Sequence, residues 1–287
     1  MIPLWPTLVL AALPIAEFGT ADQKKHYLTR IASGEAILTA ALTEPGNYDP
    51  LSPATTATKS GTGWVLEGKK TCVPAGHVAE RVLVPARVGA EIGIFLVDPK
   101  AKGVTLARQT VTNDSIEVEL TLAGVHVAAE EVLALGANGA NALRFIVDRA
   151  MATLCALELG VTTKALEMTA AYTASRQQFD RPIATFQAVA QRLADAYIDI
   201  EAIRLSAWRA LWKLEQGQPA RDEITVAKFW TSEGGHRVVL AAQHLHGGMG
   251  FDRDYPLHRY YTWSRHIDLT LGSGNEQLAR LGAALAG

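Results

Sequence analysis

Residues 176–187 have the sequence Arg-Gln-Gln-Phe-Asp-Arg-Pro-Ile-Ala-Thr-Phe-Gln, which is the most informative part of this 287-residue chain. An apolar stripe with the repeat of an amphipathic helix begins in it. The stripe consists of Ile183, Phe186, Ala190, Leu193 and Tyr197. Pro182 suits the first turn of such a helix, because the missing N–H has no helical partner there. We therefore expect a long helix that starts near Pro182.

Two distant segments belong to the same pattern as this stretch. One runs from Phe18-Gly19-Thr20 to Leu42-Thr43-Glu44-Pro45, and the other is His246-Gly247-Gly248-Met249-Gly250. In this order and spacing the segments resemble an acyl-CoA dehydrogenase, a flavoprotein that introduces a double bond between Cα and Cβ of acyl-CoA thioesters. The resemblance covers nearly the whole chain. It implies FAD as the cofactor, an acyl-CoA substrate, and an electron-transfer flavoprotein or oxygen as the electron acceptor.

The chain divides into three regions of different pattern. Residues 1–33 have helical periodicity that stops at Gly34. Residues 34–136 contain short β-rich runs separated by turn residues, which predicts a small antiparallel barrel or sandwich. Residues 137–287 contain long helical stripes, which predict a four-helix bundle. We expect an α+β multi-domain protein with these boundaries.

Individual elements follow from the same patterns. Expected strands cover 36–43, 64–67, 81–86, 92–97 and 116–120. Further expected helices cover 142–175, 222–244 and 257–286. By resemblance, the helical start is the remnant of an N-terminal domain that is mostly lost, or cut off by a misassigned start. A partner chain would then cover the face that it leaves exposed.

Composition narrows the classes of partner. Lys and Arg total 27 and Asp and Glu total 29, a net charge of −2 that argues against nucleic acid and anionic membranes as the main partner. Cys72 and Cys155 have neither metal-ligand spacing nor a disulfide framework, so we expect no metal site and a cytoplasmic protein. The apolar start at 1–16 has no preceding Lys or Arg and is interrupted by prolines, which favours a buried helix over a signal peptide.

Three residues of the 176–187 stretch are candidates for binding FAD. By resemblance, Arg176 binds the pyrophosphate of FAD held by a neighbouring subunit, while Phe179 and Gln187 flank its adenine end. The chemistry agrees, because a guanidinium matches a diphosphate with two hydrogen bonds and Gln supplies donors and an acceptor. Arg176 alone would be interpreted as a solvated charge at a helix end.

The glycine-rich segment supplies a second set of candidates. Gly247 and Gly248 lack a Cβ, so their backbone can approach a phosphate closely. A lone Gly-Gly-x-Gly is also typical of a loop that ends a helix. His244 stands where the family has Gln, and could either replace that donor or be a satisfied buried histidine.

The resemblance weakens in the β-rich region. Thr43 is kept and would lie beside the flavin ring system. By the family pattern, however, a Trp that shields the flavin is replaced by Cys72. A Thr that hydrogen-bonds near the reactive edge is replaced by Pro74, which has no N–H to donate. Several such changes in the β-rich half of the flavin site indicate that this half has lost its function or has a changed role.

The usual catalytic base is also missing. When this chain is aligned with the family's C-terminal loop, the position of the family's catalytic Glu corresponds to Leu271 or Ser273. Neither side chain can abstract an α-proton. The position used by branched-chain members falls on Ala150. Asp268, nearly one turn before Leu271, is the weak remaining candidate for a base. Asp148 is weaker still. It lies two residues before Ala150, and side chains two residues apart on a helix point about 200° away from each other.

These observations lead to one hypothesis with two alternatives. The chain would be a heteromeric acyl-CoA dehydrogenase subunit that clasps the FAD of a second, dehydrogenase-like subunit carrying the base. Residues 53–57 and 254–260 resemble actinobacterial heteromeric enzymes for steroid side chains, which suggests a bulky acyl-CoA. The alternatives are an autonomous homomeric dehydrogenase that uses Asp268, and a flavin-free structural or regulatory protein on the same fold.

Overall fold

The computed structural model describes residues 2–286 and separates into two compact units, residues 1–150 and 151–287. Its N-terminal helical segments are a π-helical stretch (Pro6–Ala12), α1 (Leu13–Phe18), α2 (Ala21–Gln23), a second π-helical stretch (Lys24–Leu28) and α3 (Thr29–Ala32). Thr20 starts α2 with a capping box, in which its hydroxyl and amide both bond Gln23. The Gln23 side chain also donates to the carbonyls of Glu130 and Val132, which anchors this helix to the β-rich part of the unit.

One eight-stranded sheet forms most of the first unit. Its strands are β1 (Leu38–Ala40), β2 (Thr56–Ser60), β3 (Gly63–Pro74), β4 (Arg81–Val88), β5 (Glu91–Val97), β6 (Val104–Thr110), β7 (Ile116–Val127) and β8 (Val132–Leu135). They follow the order β6-β7-β3-β2-β4-β5-β8, and β1 pairs in parallel with β4. Leu66, Phe95 and Leu120 are fully buried in its apolar core.

All five expected strands are present in this sheet, and three further strands of the sheet were not predicted. The missed strands are β2, β6 and β8. β2 and β6 expose most of their side chains, so neither has a long apolar run that would reveal it. β6 and β8 lie at the two ends of the strand order, where a strand needs apolar contacts on fewer sides.

A charged pair lies inside this unit. Lys70 Nζ donates to Glu44 Oε1 at 2.7 Å, and their side chains are only 1% and 4% exposed. The amide and hydroxyl of Thr55 donate to the same carboxyl oxygen at 2.9 and 2.6 Å. Burial raises the pKa of Glu44, but Lys70 and Thr55 outweigh it and lower this pKa to about 2. Burial lowers the pKa of Lys70 to about 8. The pair is therefore ionised at neutral pH.

The second unit is helical. Its elements, with the long helix that leads into it, are α4 (Ala137–Ser175), β9 (Gln177–Gln178), β10 (Arg181–Pro182), α5 (Gln187–Glu215), α6 (Arg221–His246), α7 (Leu257–Leu269) and α8 (Gly274–Ala286). The helical bundle was predicted correctly, and the division between the two compact units falls inside α4, after residue 150. No helix among residues 2–286 is long and apolar enough to cross a membrane.

Two predicted helix boundaries were wrong. Pro182 lies in the β9–β10 hairpin, and the helix starts five residues later at Gln187, after a 3-10 turn. The helix expected over 257–286 is two helices, because Leu271 and Gly272 both have positive φ angles and break it. A bulky residue such as Leu rarely adopts this backbone conformation, so the sequence does not predict the break.

The helical unit also contains a buried acid. Glu158 on α4 is 0% exposed, and a Cβ at Gly235 of α6 would lie 2.4 Å from its Oε1. Only glycine at 235 therefore lets the carboxyl group occupy this place. Burial raises the pKa of Glu158 to about 7, although Ser264 and Lys228 act in the opposite direction. A carboxyl group that is neutral when folded and ionised when unfolded destabilises the protein as pH rises.

We expect Glu158→Gln to remove this pH dependence. The stabilisation by the protonated acid is complete below its ordinary pKa of 4.5 and is lost as pH rises through about 7. Wild type should therefore lose about 1.4 kcal/mol per pH unit relative to the variant across that window. Thermal melts of both proteins from pH 4 to 9 measure the difference. Glu167→Gln, at an exposed site on the same helix, is the control. Parallel melting curves for wild type and Glu158→Gln would contradict the expectation.

Candidate functional site

The candidates from the helical region meet at one end of the second unit. The rings of Tyr172 and His246 stack with their centroids 4.3 Å apart, which joins the last turn of α4 to the last turn of α6. Arg176 follows one turn after Tyr172, and Gly247 comes directly after His246. The amide of Ile183 donates to the carbonyl of Arg176 at 2.9 Å, which closes the hairpin between α4 and α5.

The hairpin exposes an aromatic ring at its tip, on a residue whose backbone conformation is unfavourable. Phe179 and Asp180 form its two-residue loop with φ angles of 54° and 60°. Such a loop favours Asn-Gly, because both central residues need positive φ. Phe179 is nevertheless held with 87% of its surface exposed. Its ring meets that of Phe186 edge-on at 6.1 Å, and the Arg181 guanidinium lies 4.1 Å over Phe186. The hairpin is thus held at its base and bare at its tip.

The glycine turn lies beside the end of α6. Gly247 has φ 60° and ψ −132°, a conformation that L side chains rarely adopt. Apart from the adjoining residues of the chain, no atom lies within 4 Å of the place that a Cβ would take at Gly247 or Gly248, so the backbone there is open to a ligand. Gly250 packs instead, since a Cβ would lie 2.6 Å from the Gln243 carbonyl oxygen. The two functions of the motif, exposure and close packing, fall on different glycines.

Gln187 and His244 complete this surface, which we call the clasp and define by Arg176, Phe179, Gln187, His244, Gly247 and Gly248. All six residues are exposed. Gln187 is the first residue of α5, and His244 lies in the last turn of α6. His244 lines a groove of about 680 Å³ between α5 and α6, together with Arg192 and Arg237. His244 is therefore not a buried histidine.

The β-rich unit contains the three positions that the sequence analysis assigned to the flavin side, Thr43, Cys72 and Pro74. Thr43 forms an isolated bridge with Thr71, whose amide donates to the Thr43 carbonyl at 2.9 Å. Cys72 is exposed at a bulge of β3 with φ 51°, and its amide donates to Gln109. Pro74 ends the strand and offers no N–H. Of the three positions that the resemblance assigns to the flavin side, only Thr43 has the residue type that the family pattern expects.

No strong base stands at the expected positions. Leu271 has φ 59°, and the amide of Ser273 donates to Glu276 at 2.6 Å. Asp268 is 7% exposed, and its carboxylate is paired with Arg265 at 2.9 Å. Ala150, the alternative position, is fully buried. The only carboxylate among these candidates is therefore nearly buried and already in a salt bridge.

Comparison with known proteins decides the family. The acyl-CoA dehydrogenase middle domain matches residues 39–125, and the acyl-CoA dehydrogenase C-terminal domain matches residues 137–286. The chain belongs to the acyl-CoA dehydrogenase family. It is 36% identical over 293 residues to acyl-CoA dehydrogenase FadE27 of Mycobacterium tuberculosis, covering 99% of this chain and 76% of that protein. Members of this family are oxidoreductases.

Two solved structures of this acyl-CoA dehydrogenase family are close to the chain. The ChsE4-ChsE5 complex from Mycobacterium tuberculosis has a TM-score of 0.93 and 36% identity, covering 99% of this chain and 76% of that one. A variant of the Tcur3481-Tcur3483 steroid ACAD has a TM-score of 0.91 and 44% identity, with the same coverage. The resemblance to the heteromeric steroid branch, predicted from the motifs, is confirmed.

FAD is the cofactor of this family, and the clasp fits one end of it. An exposed guanidinium, an exposed aromatic ring, an amide and an open glycine backbone suit a diphosphate and an adenine. The residues around Cys72 and Pro74 fit the flavin ring less well, since a proline cannot donate a hydrogen bond. The sequence motif contains His246 but does not indicate its contacts, which the stacking on Tyr172 and the hydrogen bond with Tyr255 reveal.

Proposed function

We propose that this acyl-CoA dehydrogenase chain is the subunit of a heteromeric enzyme that completes the FAD site of its partner and does not supply the catalytic base. One observation carries the proposal: the clasp is fully formed and exposed, with Phe179 87% accessible at the tip of a strained hairpin. Strain of this kind persists where the surrounding structure enforces it and is concentrated at functional sites. Leu271 and Ser273 at the base positions support the second half of the proposal.

Each clasp residue has a defined task in this proposal. Arg176 neutralises the diphosphate with two parallel hydrogen bonds, and Gly247 and Gly248 allow the backbone to approach it. Phe179 packs against the adenine, and Gln187 offers an amide to its polar edge. The chemistry that FAD supplies in this family is acceptance of the β-hydride of the acyl-CoA. The partner subunit would provide the base for the α-proton.

An exposed apolar stripe on α5 supports the partner. Leu205, Trp208 and Trp212 are 70%, 59% and 54% exposed, and their spacing of three and four residues places them on one helix face. Contiguous exposed apolar surface of this kind marks an interaction site. ChsE4-ChsE5 is a complex of two chains, which supports a second acyl-CoA dehydrogenase-like subunit as the occupant. The similarity to a steroid ACAD supports a bulky acyl-CoA of the steroid class as the substrate. The similarity to an electron transferring flavoprotein structure supports an electron-transfer flavoprotein as the electron acceptor.

The visible spectrum of the purified chain tests the proposal. The chain is purified alone and after co-expression with a dehydrogenase-like neighbour encoded beside it. We expect flavin absorbance only in the mixture, at about one FAD per two chains if each pair shares one cofactor. A full FAD complement in the chain alone would contradict the proposal and favour an autonomous enzyme, which mutation of Asp268 would then test. Absence of flavin from both preparations would favour the structural role.

A further inference from the structure

We propose that His246 is a positioning residue for FAD: its ring, fixed between Tyr172 and Tyr255, sets where the Gly247–Gly248 backbone meets the cofactor. This inference rests on the proposed function. His246 is only 3% exposed, so it cannot itself form part of the exposed clasp. It acts through the glycine turn that follows it.

Both nitrogens and one face of the His246 ring have defined contacts. Its Nδ1 lies 2.8 Å from the carbonyl oxygen of Ala242, and because a carbonyl only accepts, Nδ1 carries a proton. Its Nε2 lies 3.2 Å from the Tyr255 hydroxyl. In the neutral ring, whose pKa burial lowers, Nε2 therefore accepts from Tyr255. Tyr172 stacks on one face with an interplanar angle of 21°. Such a ring has one tautomer and one orientation.

These contacts join the two ends of the glycine turn. His246 is the last residue of α6, the turn Gly247–Phe251 follows, and Tyr255 lies nine residues beyond His246. The Nε2–hydroxyl bond therefore closes the loop that contains both clasp glycines. The Tyr172 hydroxyl also donates at 3.5 Å to the His246 carbonyl, which belongs to the peptide group that joins His246 to Gly247. Loss of the ring frees both the start and the end of the turn.

The alternative is that His246 only fills space in the core. Ala242, Leu257 and Ala165 form a small apolar cluster here, against which Met168, Tyr255 and Tyr260 pack. A space-filling role predicts that Leu serves as well as His. A positioning role predicts that the hydrogen bonds matter, so that removing the Tyr255 hydroxyl has an effect only while His246 is present. The two roles differ in this coupling.

The experiment is a double-mutant cycle in the complete heteromeric complex. FAD affinity is measured by the fluorescence of released FAD on dilution, for His246→Leu, Tyr255→Phe and the double variant. We expect His246→Leu to weaken FAD binding at least tenfold and Tyr255→Phe about fivefold, the size of one lost hydrogen bond. The double variant should be no weaker than His246→Leu alone. His246→Asn, which can still donate to Ala242, should recover part of the affinity.

Two controls separate the possible failures. Met168→Leu conserves volume in the same cluster and should leave FAD affinity unchanged. An affinity within twofold of wild type for both His246→Leu and Tyr255→Phe, in a complex that loses FAD when Arg176 is replaced, would overturn this inference alone. A complex that contains no FAD at all would overturn the proposed function. If His246→Leu fails to assemble, the cycle of wild type, Tyr255→Phe, His246→Asn and Tyr255→Phe/His246→Asn still measures the coupling, and additive effects would overturn the inference.

Discussion

Replacing Arg176 by Met is expected to remove FAD from the assembled complex while leaving both subunits folded and associated. The residue is exposed, so the substitution leaves no buried group unsatisfied in the free chain. In the proposed FAD site it removes two charge-assisted hydrogen bonds to the diphosphate, each worth about 1.5–3 kcal/mol. The affinity for FAD should fall at least about 100-fold. The measurement is the flavin absorbance that accompanies the complex through gel filtration.

Two further variants make this test specific. Arg176→Lys keeps the charge but not the planar fork, so it should retain FAD with an intermediate affinity. Arg221→Met makes the same charge change at the start of α6, at the other end of that helix from the clasp, and should retain FAD fully. An unchanged FAD content in the Arg176→Met complex would show that the guanidinium does not contact the cofactor.

Replacing Lys70 by Met is expected to cause the largest loss of stability of any single change in the β-rich unit. Lys70 is 0% exposed, and its removal leaves the Glu44 carboxylate buried without its ionic partner. Breaking one side of a buried ion pair costs about 3–5 kcal/mol. The loss should be larger at pH 7 than at pH 4, because Glu44 without Lys70 has a raised pKa and can be protonated in mild acid. Thermal melts at the two pH values measure both effects.

The neighbouring residue provides a matched control. Lys69 forms an ion pair with Glu119 at 2.9 Å, but the two side chains are 48% and 30% exposed. Lys69→Met should therefore cost less than about 1 kcal/mol. Glu44→Gln combined with Lys70→Met should recover much of the stability, because a neutral amide oxygen still accepts from Thr55. Equal melting temperatures for Lys69→Met and Lys70→Met would refute the importance of the buried pair.

Much of the fold was predictable because periodicity reports directly on burial. The helix expected over 142–175 and the five apolar strands are present, since each buries a regular stripe or run. The hairpin at 177–182 could not be predicted, because Phe-Asp is not a sequence that favours a loop with two positive φ angles. Pro182 was then assigned to a helix start, although it belongs to the hairpin. Local turn chemistry misleads where tertiary contacts override it.

The site was predictable only as a set of motifs. The resemblance named the clasp residues, but only the structure shows that they share one exposed end of the bundle. The contacts of His246 join residues 172, 246 and 255, which no local pattern connects. Likewise, the burial of Glu158 against Gly235 depends on how two helices cross. Sequence separation hides such contacts, because periodicity assigns residues to faces but does not pair the faces.

The strained hairpin has a consequence for how the enzyme acquires its cofactor. Phe179 and Asp180 hold positive φ angles in the chain by itself, at a cost of about 1–2 kcal/mol per residue. That cost falls on folding rather than on binding, so the clasp is pre-organised and little entropy is lost when it closes on a ligand. Under the proposed function, cofactor capture and subunit docking are one linked equilibrium, in which each tightens the other by the same factor. In this arrangement a rigid Phe179 also contributes to specificity. Only a partner whose nucleotide lies at the position of the fixed ring can pack against it.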